Sequence, residues 1–95
     1  MTTADIVTML KTDLGVTHSR RDENYTALVE TAIKELARKG IHIDIETAEI
    51  DDIMLISDFA AWNYRKRMEN VPLSNNLRIR IYNRVVRERA KRQDE

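Results

Sequence analysis

Two histidines are the first residues of this 95-residue chain to consider for acid–base or metal chemistry. His18 stands in a polar segment and His42 among isoleucines. Neither has a second histidine at the spacing that zinc ligands or catalytic pairs use. We therefore expect no metal site at either residue.

A cluster of carboxylates around position 48 is the second candidate for chemistry. It lacks both the ligand register and the central glycine of a calcium loop. Acids at a helix start are favoured by the helix dipole, which explains the cluster without a metal ion. Asp58 stands apart in an apolar segment, where it either faces solvent beside Ser57 or pairs with an arginine across an interface, because unpaired burial is too costly. The clustered acids are Asp44, Glu46, Glu49, Asp51 and Asp52.

No set of residues predicts catalysis. The chain has no cysteine, and Gly15 and Gly40 belong to no phosphate-binding pattern. A nucleophile, a base and an oxyanion donor cannot be assembled from the remaining residues. We expect a protein that is not an enzyme and uses no cofactor.

A basic stripe near the end of the chain is the strongest candidate for binding. Its four cations are spaced by four, three and four residues, so that a helix turning about 100° per residue places them in one arc, whereas a strand would divide them between two faces. The stripe could face solvent, nucleic-acid phosphates or an acidic protein surface. Its members are Arg80, Arg84, Arg87 and Lys91, and the apolar residues expected on the opposite side are Leu77, Ile81, Tyr82, Val85 and Val86.

Three aromatic residues could anchor an interface: Trp62, Tyr64 and Tyr82. Tryptophan, tyrosine and arginine dominate binding hot spots, and a basic segment follows Tyr64 directly. A place in the core is the favoured alternative for Trp62.

These residues must be positioned by helices, since four segments have helical character. Thr2 or Thr3 caps a first helix that ends at Leu14 before Gly15, and a second helix from Tyr25 to Lys39 stops at Gly40. Ser19 is a candidate cap in the loop between these two helices. The third helix is expected from about Thr47, as its cap, to Glu69, and the fourth, capped by Ser74, from Asn75 to about Arg92.

The segment 41–45 alternates isoleucine with polar residues, as a short strand would. No convincing second strand is available, so we interpret it as an extended connector that places isoleucines in the core. A strand contributed to a neighbouring subunit stays open. The predicted fold is therefore an all-α bundle of about four helices, with helices 2 and 3 forming the core and the apolar third helix at its centre or between subunits.

The distribution of charge favours association. Residues 1–61 contain six Lys/Arg and twelve Asp/Glu, whereas residues 62–95 contain ten and four, so a net charge of zero hides an acidic and a basic part. Such a polarity suits head-to-tail contacts between copies, which can close into rings. We expect one domain, 1–95, with a helical core at 1–70 and a basic docking helix at 74–95. No signal peptide or membrane-spanning run is evident, so a soluble protein is expected.

The order of the elements resembles that of the small head–tail connector proteins of tailed phages and prophages, also called head-completion or adaptor proteins. The resemblance rests on TADIVTMLK at 3–11, the long helix at 25–39, WNYRKR at 62–67, the break at Pro72, and LRIRIYNRVV at 77–86. It covers most of the chain through loose patterns, and the last helix is more basic than is usual in that family.

The resemblance implies an all-α structural subunit in the virion, assembled in the host cytoplasm. It implies a ring of about 12 subunits beneath the portal protein, extending the DNA channel and docking the next tail-joining protein. Non-specific contact with DNA in the channel would be compatible with this role. The alternative function is a small helix-turn-helix-like DNA-binding regulator that uses helix 74–92, although a net charge of zero disfavours it.

Overall fold

The computed structural model describes residues 1–17 and 20–93, and of residues 68, 92 and 93 the backbone alone. These ranges contain four α-helices and no strand: α1 (Thr3–Leu14), α2 (Asp22–Arg38), α3 (Ile50–Met68) and α4 (Asn75–Gln93). The prediction of an all-α bundle is confirmed. The expectations for His18 and Ser19 fall outside the described residues.

Local sequence signals set several of the helix ends. Thr2 and Asp5 form a capping box in which the Asp5 N–H donates to the Thr2 hydroxyl at 3.2 Å and the Thr2 N–H donates to the Asp5 carboxylate at 2.9 Å. Gly15 ends α1 with a φ of 74°, a conformation that glycine adopts without steric cost. The Ser74 hydroxyl accepts the Leu77 N–H at 3.1 Å, as its predicted role as the α4 cap requires.

The start of α3 differs from the prediction. Thr47 is not the cap, because its N–H donates to the Asp44 carbonyl at 3.2 Å in a turn that precedes the helix. The Asp44 side chain accepts the Glu46 N–H at 3.0 Å and stabilises the same turn. Glu49, with extended backbone and no side-chain cap, precedes the first helical residue, Ile50.

The core cluster contains residues of all four helices rather than of the predicted two. Ile6 and Leu10 of α1 are fully buried beside α2 and α3, so α1 belongs to the core. α3 is central, as its apolar character predicts, because it packs against each of the other three helices. The largest fully buried side chains are Ile6, Leu10, Val29, Leu36, Ile41, Ile53 and Ile56.

The isoleucine connector contributes to this core, as predicted. Ile41 is fully buried, and its N–H donates to the Leu36 carbonyl at 2.9 Å. Ile43 and Ile45 are half-buried against the core cluster. The segment forms no strand within the chain.

α4 is the peripheral helix. Among the described helices it packs against α3 alone, and Leu77 and Ile81 are its buried apolar residues. α4 runs antiparallel to α3, since Arg80 meets Asp58 whereas Arg84, one turn later, meets Asp52. Among the described residues, no helix combines the length and apolar character that crossing a bilayer requires.

Candidate protein-interaction surface on α4

The inward side of α4 carries a buried arginine. The Arg84 side chain is only 7% exposed, and it donates to the Asp52 carboxylate from Nε at 2.9 Å and from Nη2 at 3.3 Å. Its Nη1 donates to Glu88 at 2.7 Å. A two-pronged arginine–carboxylate pair fixes the geometry more strictly than a single hydrogen bond. Arg84 therefore holds α4 against α3 in a defined register.

The ionisation of Arg84 follows from these contacts. Burial of the guanidinium opposes its charged form, but the hydrogen bonds and charges of Asp52 and Glu88 favour that form more strongly, so the pKa of Arg84 is raised above its ordinary value. The described part of the chain leaves no buried side-chain nitrogen or oxygen without a partner. The buried nitrogens of Arg84 therefore all have hydrogen-bond partners, and its role is structural.

The other members of the predicted basic stripe divide between pairing and exposure. Arg80 donates to Asp58 at 2.7 Å, so the arginine partner expected for Asp58 lies in its own chain, and Ser57 is buried rather than beside it in solvent. Arg87 is half exposed and reaches Asp52 at 3.5 Å, and Lys91 is exposed.

The apolar side of α4 is not opposite the stripe, contrary to the expectation. Leu77 and Arg84 are seven residues apart, which at about 100° per residue places them within about 20° of each other on the helix. Both are buried, together with Ile81. The line of contact with α3 therefore runs along the boundary between the basic and apolar stripes, and half of each stripe faces outward.

The outward half of the apolar stripe forms an exposed surface on α4. Ile79 is 57%, Tyr82 67% and Val86 46% exposed, and Arg78 and Arg89 are exposed beside them. We call these five residues the outer surface of α4. Its edge continues into a groove that Leu73 and Lys39 also line. Neither Arg78 nor Arg89 forms an ion pair within the described parts of the chain.

A second exposed apolar surface lies at the start of α3. Ile50 is 57% and Met54 46% exposed, one helical turn apart. Glu49 and Asp51, both exposed, accompany them. We call these four residues the acidic surface of α3.

The aromatic anchors behave differently from one another. Trp62 is half-buried: its Nε1 donates to the Val71 carbonyl at 3.2 Å, and its ring lies 5.6 Å from that of Phe59. The Lys66 ammonium lies 4.9 Å from the same ring.

The ring of Tyr64, which is also half-buried, lies 6.0 Å from the ring of Tyr25, and the two residues pack with the core. Of the three predicted anchors, Tyr82 is the one whose side chain is largely free for an external contact.

The described residues hold no group of three or more histidine and acidic side chains that could share a metal ion. His42 is exposed.

Sequence reasoning missed Ile79, Ile50 and Met54 as surface residues. Their helical spacing is nevertheless visible in the sequence, in the steps Ile79–Tyr82–Val86 and Ile50–Met54. The missing information was which side of each helix the core covers.

The fold and this surface define a small all-α protein with an outward-facing apolar and basic helix. Comparison of the chain with models of known families, with curated proteins and with solved structures gives no match.

Proposed function

We propose that this chain is a non-enzymatic, ring-forming connector subunit that joins the portal protein of a tailed phage or prophage to the next tail-joining protein, in the virion, and extends its DNA channel. One observation carries the proposal: α4 leaves Ile79, Tyr82 and Val86 exposed at helical spacing on one face. The resemblance of the sequence to small head–tail connectors supplies the biological setting, including a ring of about 12 subunits.

The composition of the outer surface supports a protein partner. Single exposed apolar residues are common, but three on one face of one helix at helical spacing form a patch of the kind that marks interaction sites. Tyrosine and arginine, which lie together here as Tyr82, Arg78 and Arg89, are enriched at the energetic centres of interfaces. An amphipathic helix that offers its apolar face to a groove is a recurring mode of recognition.

The pairing of the basic stripe favours this function over DNA regulation. Arg80 and Arg84 are engaged by Asp58, Asp52 and Glu88, so their charges are offset within the chain. A DNA-recognition helix needs side chains free to reach phosphates and bases. The exposed cations of α4, Arg78, Arg87, Arg89 and Lys91, are compatible with weak, non-specific contact with DNA in a channel.

The test is assembly with the portal protein encoded in the same genome, measured by native mass spectrometry and by light scattering. We expect the wild-type chain to assemble on the portal ring and the Tyr82→Asp variant to lose this assembly by at least about tenfold, because a charge would be buried where the outer surface of α4 is covered in the assembly. Thr31→Asp, an exposed position on α2, is the matched control. Failure of the wild-type chain to bind the portal at any concentration would contradict the proposal.

A mobility-shift titration separates the DNA-binding alternative. Sequence-selective binding that weakens when Arg78 and Arg89 are replaced by alanine would favour a regulator instead. Weak binding that disappears with added salt and shows no preference for sequence is the result expected of a channel protein.

A further inference from the structure

The subunit carries two exposed apolar surfaces of opposite charge. The outer surface of α4 combines Ile79, Tyr82 and Val86 with two arginines, and the acidic surface of α3 combines Ile50 and Met54 with two carboxylates. Together they contain five of the six large apolar residues that are exposed in the described chain, the sixth being Met1. Neither surface is covered by apolar residues within the subunit. The charges of the two surfaces are complementary, because one carries arginines and the other carboxylates.

The two surfaces cannot cover each other within one subunit. The cleft between α3 and α4 that Met54 and Asp51 line is bordered on α4 by Asn83 and Arg87. The groove beside Tyr82 and Val86 is bordered by Arg89 instead. Arg87 and Arg89 are about 160° apart around the helix at about 100° per residue, so the two surfaces lie on different sides of α4.

We infer that a second copy of this chain occupies the outer surface of α4 with its acidic α3 surface, so that subunits join head to tail. Opposite charges at the rim of an apolar contact steer association and fix which surfaces meet. The contact is heterologous, because each copy uses a different surface on each side, and such contacts close into a ring or extend into a filament. This inference deepens the proposed function and rests on it for closure into a ring.

A like-with-like contact between two α4 helices is disfavoured by the same charges. It would bring Arg78 and Arg89 of one copy against those of the other, with no acid exposed on that side of the helix to offset them. The heterologous contact instead sets these arginines against Glu49 and Asp51.

Charge reversal tests the arrangement. One variant carries Arg78→Glu and Arg89→Glu, and the other carries Glu49→Lys and Asp51→Lys. We expect the wild-type chain to self-associate at high concentration and each variant alone to associate about tenfold more weakly, since its two contact surfaces then have the same sign. An equimolar mixture should recover association, because both contacts between the two variants are again complementary. Analytical ultracentrifugation reports all three.

The control is Glu30→Lys with Arg67→Glu, two exposed positions outside both surfaces. Circular dichroism shows whether each variant keeps its helices, since lysine near a helix start is unfavourable. Undiminished association of the Glu49→Lys, Asp51→Lys variant would show that the acidic surface of α3 takes no part in the contact and would overturn the inference. A mixture of folded variants that fails to associate, or a wild-type chain that is monomeric at every concentration, would overturn it too.

Cross-linking gives a second measurement that needs no charge change. The chain has no cysteine, so only introduced thiols can react. Mixing Ile50→Cys with Tyr82→Cys under mild oxidation with oxidised glutathione should give mainly the mixed disulfide. A predominance of dimers of either variant with itself would count against the contact. Portal binding that depends on Tyr82 while none of these contacts forms would reject the inference and leave the proposed function standing.

Discussion

The buried arginine of α4 allows a quantitative prediction for Arg84→Met. Methionine keeps an aliphatic side chain but removes the guanidinium, so Asp52 and Glu88 each lose their ion pair with Arg84. Their side chains are 14% and 18% exposed, which gives them limited access to water. Removing one partner of a buried ion pair costs roughly 3–5 kcal/mol. Arg87, already 3.5 Å from Asp52, offsets part of the loss, so we expect about 2–3 kcal/mol.

The loss should be large relative to the total stability. Domains of this size unfold with about 5–15 kcal/mol, and each kcal/mol shifts Tm by roughly 4–8 °C. Arg84→Met should therefore lower Tm by about 10–20 °C. Thermal and urea unfolding, followed by circular dichroism, measure the change, and Arg89→Met on the exposed side of the same helix is the matched control, expected within about 0.5 kcal/mol of wild type.

A triple replacement separates a lost partner from lost packing. Replacing Arg84, Asp52 and Glu88 together by methionine and leucines removes both carboxylates along with the guanidinium. Apolar replacement of a whole buried ion network is often neutral or stabilising, so the triple variant should recover most of the free energy of unfolding. The reasoning is refuted if Arg84→Met unfolds like wild type, or if the triple variant is no more stable than the single one.

Three further outcomes are expected. The hydrogen bonds from Thr2 lower the pKa of Asp5 below 3.8. The contribution of Asp5 to stability is therefore present above that pH and is lost as the pH falls through the lowered pKa. Asp5→Asn should reduce the loss of stability at acidic pH, as measured by urea unfolding over a pH series. Burial, reinforced by Tyr64, raises the pKa of Tyr25 above 10.0, so stability is fully present below pH 10.0 and is lost as the pH rises through the raised pKa; Tyr25→Phe should reduce this alkaline loss in urea unfolding. Trp62→Phe removes the bond to the Val71 carbonyl and should cost about 1–2 kcal/mol by the same assay; no change would mean that water replaces that bond.

Much of the fold could be predicted because its signals are local. The capping box at Thr2, the left-handed glycine at 15 and the serine cap at 74 each act within one helical turn, so neighbouring residues determine them. The cap of α3 could not be predicted in this way. Thr47 has the right residue type, but Asp44 engages its backbone in a turn, and competition between two local hydrogen-bonding schemes is not resolved by residue type.

The buried side of α4 was beyond sequence reasoning for a different reason. The periodicity of the sequence shows which residues share a face of a helix. It does not show which face packs against the core, because that depends on the side chains of the neighbouring helix. Asp52 and Asp58 on α3 accept two arginines of α4, so the helix turns its basic stripe partly inward. Without acids at those positions, burial of Arg84 would leave its charge unpaired, which is too costly. By pairing with Arg80 and Arg84, the acids of α3 hold the basic stripe partly inward, and Ile79, Tyr82 and Val86 are left exposed.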